Sequence, residues 1–223
     1  MATSVRRVVD LFPQSFPESV PGARIVIGHH AQSSLSRNVG RVAYTDLAEE
    51  ILTNTFTSTD AILQLSRCPT GPPILREYDE RSEWNVSVSH CDNWIAVGIA
   101  PGAAIGVDIE KIRSRPRMVK ISEYLGWSRS PTDSAEFWAR WTLWEAYAKC
   151  MGRSVLQKEN RGVETFAAHE AIGRVLSNDR QSVLCDSIDG TLVFSVVVSG
   201  IPHNESAHHH PERGRNRPRQ SAK

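Results

Sequence analysis

Ile105-Gly-Val-Asp-Ile-Glu110 and, further on, Trp141-Thr-Leu-Trp-Glu-Ala-Tyr-Ala-Lys149 are the two stretches whose joint reading decides this chain. Residues two apart on a strand share a face, so Asp108 and Glu110 present two carboxylates side by side. Ile105, Val107 and Ile109 form the other, apolar face, and a half-buried strand is expected. On a helix, residues four apart share a face, so Glu145 and Lys149 project together. Trp138, Trp141, Glu145, Ala148 and Gly152 follow one stripe, which shelters that charge. If the strand end meets the helix, three carboxylates and one ammonium converge. Three oxygen donors suit Mg²⁺ and a lysine beside them suits a phosphate, a combination fit for chemistry on a pyrophosphate. Taken singly, each pair has a plainer meaning: a solvated strand end, and a surface ion pair of about 0.3–0.5 kcal/mol.

Outward from these stretches the pattern is α+β. Upstream, 85–89, 94–99 and 104–109 are short runs rich in β-branched residues, divided by Cys91-Asp-Asn and Pro101-Gly102. They read as an antiparallel meander. Residues 135–151 form the longest expected helix, closed by Gly152, and 118–125 a shorter one. Strands are expected at 182–186 and 192–199 around the turn Asp189-Gly190. Towards the N-terminus, 24–28 is strand-like and 39–53 helical, with Val42, Ala43, Leu47, Ile51 and Leu52 at helical spacing. A short strand is possible at 8–11, a capped turn at 57–63 and a loop at 68–73. The order, helix then meander and again helix then hairpin, suggests two related halves joined near Pro101-Gly102.

Composition sets the outer limits. The chain has 223 residues, 40% hydrophobic and 23% charged, ordinary for a globular protein able to bury a sizeable core. A formal charge of +1 argues against nucleic-acid binding by the body. Residues 201–223 hold five basic residues against Glu205 and Glu212, a net of +3, leaving −2 for the rest. Without apolar periodicity, that basic tail is expected to be disordered and dispensable. Cys68, Cys91, Cys150 and Cys185 make no Cys-x-x-Cys pair, so neither zinc nor a disulfide framework is indicated. Asp10, Pro13 and Gln14 interrupt the run after Arg6-Arg7, and no long apolar stretch follows. A cytoplasmic protein with no membrane partner is expected.

Two further blocks complete the pattern: Asn85-Val-Ser-Val-Ser-His-Cys91 followed by Trp94-Ile-Ala-Val-Gly, and Gly71-Pro-Pro73. With Gly-Val-Asp-Ile-Glu, the interval of thirty-five residues to Glu145, and Trp-x-x-x-Glu-Ala-x-x-x-Lys, they resemble the signature of the 4′-phosphopantetheinyl transferases of the long, Sfp type. The resemblance runs from about Arg41 to Ser199. It implies a pseudo-dimer of two similar lobes, each a small antiparallel sheet with a long helix, and coenzyme A in the cleft between them. The lobes would be 1–101, including an irregular arm, and 102–200, with the tail at 201–223. It further implies a monomer.

The resemblance also implies roles. Asp108, Glu110 and Glu145 would hold Mg²⁺, with Mn²⁺ as an alternative. Glu145 would also be the base for an attacking serine. Lys149 would contact the coenzyme A phosphates and assist the leaving group. Ser89 and His90 would bind a coenzyme A phosphate, the 3′-phosphate being expected. Arg41 would hold the nucleotide end, and Gly71 and Pro73 would shape the loop beside the adenine. A histidine in a core is more often structural, and Arg41 fits an exposed helix face equally well. A Ser-His hydrolase is rejected, for want of a Gly-x-Ser-x-Gly elbow. The partner would be an apo acyl- or peptidyl-carrier protein.

Two positions depart from the family pattern. Trp144 stands where a lysine or arginine is usual, and Pro72 replaces the basic residue of Gly-Lys-Pro. Both remove charge expected near coenzyme A. They motivate a second reading, a catalytically weakened coenzyme A-binding or regulatory homologue.

Overall fold

The computed structural model describes residues 22–29, 37–56, 63–66, 73–77, 80–157, 174–177 and 181–200. The strand expected at 8–11, Gly71, Pro72, the Arg41 side chain and the tail at 201–223 lie outside the described residues, as does most of the turn at 57–63. The elements are β1 (Arg24–His29), α1 (Arg37–Phe56), β2 (Leu63–Ser66), β3 (Ile74–Glu77), β4 (Glu80–Cys91), β5 (Trp94–Pro101) and β6 (Ala104–Lys111). There follow α2 (Met118–Leu125), α3 (Ser134–Cys150), β7 (Arg174–Ser177), β8 (Gln181–Ile188) and β9 (Leu192–Ser199). Among the described residues no helix is long and apolar enough to cross a membrane.

Two antiparallel sheets form, ordered β1-β5-β4-β3-β2 and β6-β9-β8-β7. Each places its first strand beside its last, and each has a long helix in the connection that follows the first strand. The expected three-strand meander is corrected here. β4 and β5 pair as a hairpin, but β6 leaves that sheet and pairs with β9, with Asp108 opposite Ser195. The redirection occurs at Gly102, whose φ of +62° is open to glycine at no steric cost. Strands as short as β2, β3 and β7 carry too little periodicity to be read from sequence, and none was expected.

Side-chain alternation then assigns each face. Ile105, Val107 and Ile109 of β6 meet Phe194, Val196 and Val198 of β9 and Ile25 and Ile27 of β1 in a core shared by both sheets. Leu47, Ala48, Ile51 and Leu52 of α1 cover the outer face of the first sheet, against Val26, Ile95 and Val97. Phe137, Leu143 and Tyr147 of α3 cover the outer face of the second, against Val183, Val193 and Val197. The layers therefore run helix, sheet, sheet, helix. β6 is covered on both sides, so it is not the half-buried strand expected: Asp108 is only 2% exposed.

What brings α3 onto β6 is Gly106. A Cβ there would stand 1.9 Å from the Ala146 carbonyl oxygen and 2.5 Å from the Cys150 nitrogen. Only the absent side chain permits that approach, and it carries Glu145 and Lys149 over the strand one step from Asp108. The helix is anchored at both ends. Asp133 caps the N-terminus by accepting from the Glu136 N–H at 2.8 Å, worth about 1 kcal/mol. At the C-terminus Gly152, at φ +61°, donates to Lys149 O, and the Arg153 N–H bonds Ala148 O at 2.8 Å. These paired bonds end the helix one residue beyond Lys149.

Candidate active site

Asp108 lies on the β6 face that looks at α3. Lys149 Nζ stands 2.6 Å from Asp108 Oδ1 and donates to the Val107 carbonyl at 3.0 Å. Glu145 Oε2 is 3.9 Å from the same nitrogen. From β4, the Ser89 hydroxyl donates to Asp108 Oδ1 at 2.7 Å. Oδ2 of the same carboxylate is buried without a hydrogen-bond partner. Glu110, two residues on, is half-buried, hydrogen-bonded to Cys91 and 3.8 Å from the Arg113 guanidinium.

The electrostatics follow from this crowding. Burial, then repulsion from Asp108, push the Glu145 carboxyl up to about 7, with Lys149 pulling against them. Burial and Asp108 also raise Glu110 above the ordinary carboxylate range, opposed by Cys91, Arg113 and Arg115. Closely spaced, desolvated carboxylates of this kind would be stabilised by a further cation beside Lys149, Arg113 and Arg115. The oxygen donor set and the orphaned Asp108 Oδ2 suit a hard divalent ion such as Mg²⁺. Among the described residues no three His, Cys, Asp or Glu side chains are already gathered as a metal group. Sharing one ion therefore requires side-chain rotation, which the partial exposure of Glu110 and Glu145 allows.

Asp108, Glu145, Lys149 and Ser89 thus meet at one point, with Glu110 coupled to them. Ser89 and His90, read as one block in the sequence, face opposite ways because neighbours on a strand alternate. Ser89 is buried against Asp108. His90 is exposed on the α1 side, its ring stacked on Tyr44 at 4.0 Å between centroids. Arg41 lies in α1 one turn before Tyr44, and Pro73 is half-buried just before β3. Trp144 does not face the cluster. It is 1% exposed and donates its indole N–H to the Val155 carbonyl at 2.7 Å. Its replacement of a basic residue therefore subtracts no charge from the site.

Sequence reasoning missed four neighbours. Tyr44 supports His90, and its hydroxyl donates to the Asp92 carbonyl. Cys91 and Arg113 touch Glu110. The Arg115 guanidinium lies 5.0 Å from the Trp138 ring and 5.2 Å from Trp141. The alternation of Ser87, Ser89 and Cys91 was the available signal, since small polar residues on one strand face mark close approach of another backbone. Nothing local marked Tyr44.

No protein-family model matches the chain. A curated protein of Synechocystis sp., described as a 4′-phosphopantetheinyl transferase, is 28% identical over 102 residues, covering 42% of this chain and 41% of its own length. The match thus spans about two fifths of that relative. This similarity supports the superfamily that the chain's sequence blocks resemble, the 4′-phosphopantetheinyl transferases.

Proposed function

We propose that this protein is a 4′-phosphopantetheinyl transferase, which moves the phosphopantetheine arm of coenzyme A onto a serine of an apo acyl- or peptidyl-carrier protein. The serine oxygen forms a bond to the phosphorus that carries the pantetheine, the bond from that phosphorus to the bridging oxygen breaks, and 3′,5′-ADP leaves. One observation carries the reading. Lys149 reaches across from α3 to Asp108 of β6 at 2.6 Å, joining the two sequence blocks that carry the chemistry.

The residues divide the work by their surroundings. Glu145, whose carboxyl is pushed up to about 7 in the metal-free cluster, would be the base that accepts the serine proton. Lys149, one-third exposed, can turn from Asp108 towards the leaving oxygen and stabilise its charge. Asp108, Glu110 and Glu145 would hold Mg²⁺, which when bound neutralises charge building on the pyrophosphate. His90, exposed and braced by Tyr44, suits the 3′-phosphate of coenzyme A, with Arg41 on the same helix as Tyr44. The repeated strand order of the two sheets supports two similar lobes, near 1–101 and 102–200; the coenzyme would lie between them.

Mass spectrometry of apo-carrier proteins incubated with the protein, Mg²⁺ and coenzyme A tests this reading. Covalent gain of phosphopantetheine by a carrier is expected. Retention of coenzyme A without any holo-carrier would instead identify a binding or regulatory homologue.

A further inference from the structure

β6 is the outer strand of its sheet, so its outward N–H groups need partners from elsewhere. β4 supplies them with side chains. Ser87 Oγ accepts from the Val107 N–H at 3.0 Å, and Cys91 Sγ accepts from the Lys111 N–H at 3.3 Å. The same row of alternate residues also reaches the carboxylates: Ser89 donates to Asp108 at 2.7 Å, and Cys91 is hydrogen-bonded to Glu110. We propose that Ser89 is a positioning residue, set on β4 to fix the carboxylate of Asp108 for a divalent cation. This inference rests on the functional reading above.

Asp108 shows how the fixing works. Its Oδ1 takes two donors, the Ser89 hydroxyl and the Lys149 ammonium, while its buried Oδ2 takes none. A carboxylate turns about one bond, so pinning Oδ1 sets the direction of Oδ2. Oδ2 is then the oxygen offered to the cation, and it remains so when Lys149 swings away, because Ser89 holds Oδ1 alone. A hydroxyl has one proton to give. Ser89 gives it to Asp108 and is only 8% exposed, so in this arrangement its proton is committed to the carboxylate.

The test uses the full chain and Mn²⁺ alone, with affinity read from the free-ion magnetic resonance signal. Ser89→Ala is expected to weaken Mn²⁺ binding about tenfold or more, the usual cost of losing an outer-shell partner. Ser89→Thr, which keeps the hydroxyl, is expected to restore most of the loss. In metal-free protein, melting of Ser89→Ala, Asp108→Asn and the double variant should show non-additive effects. Wild-type Mn²⁺ affinity in Ser89→Ala would overturn the positioning role and leave the functional reading intact. Equal losses in Ser89→Ala and Ser89→Thr would reduce Ser89 to packing and overturn it as well. A wild-type protein that binds no Mn²⁺ would overturn the metal reading and this inference together.

Discussion

Gly106→Ala tests whether the approach of α3 to β6 builds the site. The new methyl would sit 1.9 Å from Ala146 O, against a floor near 3.0 Å for real contacts. The helix must therefore retreat by about 1 Å, since the obstacle is backbone that no rotamer change can clear. Overpacking of this kind costs about 1–3 kcal/mol. Removing a glycine from a strand returns about 0.5–1 kcal/mol, which leaves a net loss of about 0–2.5 kcal/mol. For a chain of this size, that lowers Tm by up to about 10 °C. The chemical loss should be larger than the thermal one. A retreat of 1 Å would stretch the 2.6 Å contact between Lys149 and Asp108 past hydrogen-bonding length. Misplacement on that scale can cost about a hundredfold in rate. The assay is calorimetric melting together with initial rates of holo-carrier formation, with Gly200→Ala as control, because a methyl there meets nothing. A Gly106→Ala protein with wild-type Tm and rate would refute the claim that this contact positions the site.

Three other outcomes are expected. Glu145 binds its proton more tightly in the folded protein, so its stabilising contribution is full below the ordinary value of 4.5 and is lost as pH rises through about 7. Melting in chelator should therefore show wild-type Tm falling relative to Glu145→Gln across that window, with Mg²⁺ reducing the fall; parallel profiles would contradict the raised carboxyl. Dephospho-coenzyme A should bind wild type more weakly than coenzyme A, and His90→Ala should shrink the difference in calorimetric titration, whereas equal wild-type affinities would remove the role of His90. Trp144→Lys, which restores the usual basic residue, should lower Tm by at least about 10 °C rather than tighten coenzyme A binding, because it excises a core indole and buries a charge.

The convergence of Asp108, Glu145 and Lys149 was legible because its spacing is local. Asp108 and Glu110 alternate on one strand, Glu145 and Lys149 fall one helical turn apart, and both periods survive without tertiary information. The meander was misread because pairing between β5 and β6 depends on what covers β6. Both of its faces are buried, and only the partner strand β9, some ninety residues on, decides which sheet receives it. Ser89 and His90 looked like a unit because sequence shows adjacency, while the pleat sends them to opposite faces of β4. Trp144 looked like missing charge because sequence does not show which side of α3 it occupies. The stack of Tyr44 on His90 joins residues far apart in the chain and leaves no pattern in either segment.

The most direct test of the account is conversion of apo-carrier to holo-carrier, followed by mass spectrometry across acyl- and peptidyl-carrier proteins with coenzyme A. Wild type is expected to convert at least one carrier in the presence of Mg²⁺, to stop on chelation, and to lose the reaction in Asp108→Asn and Glu145→Gln that remain folded. Undiminished conversion in chelator, or by folded variants lacking both carboxylates, would contradict it.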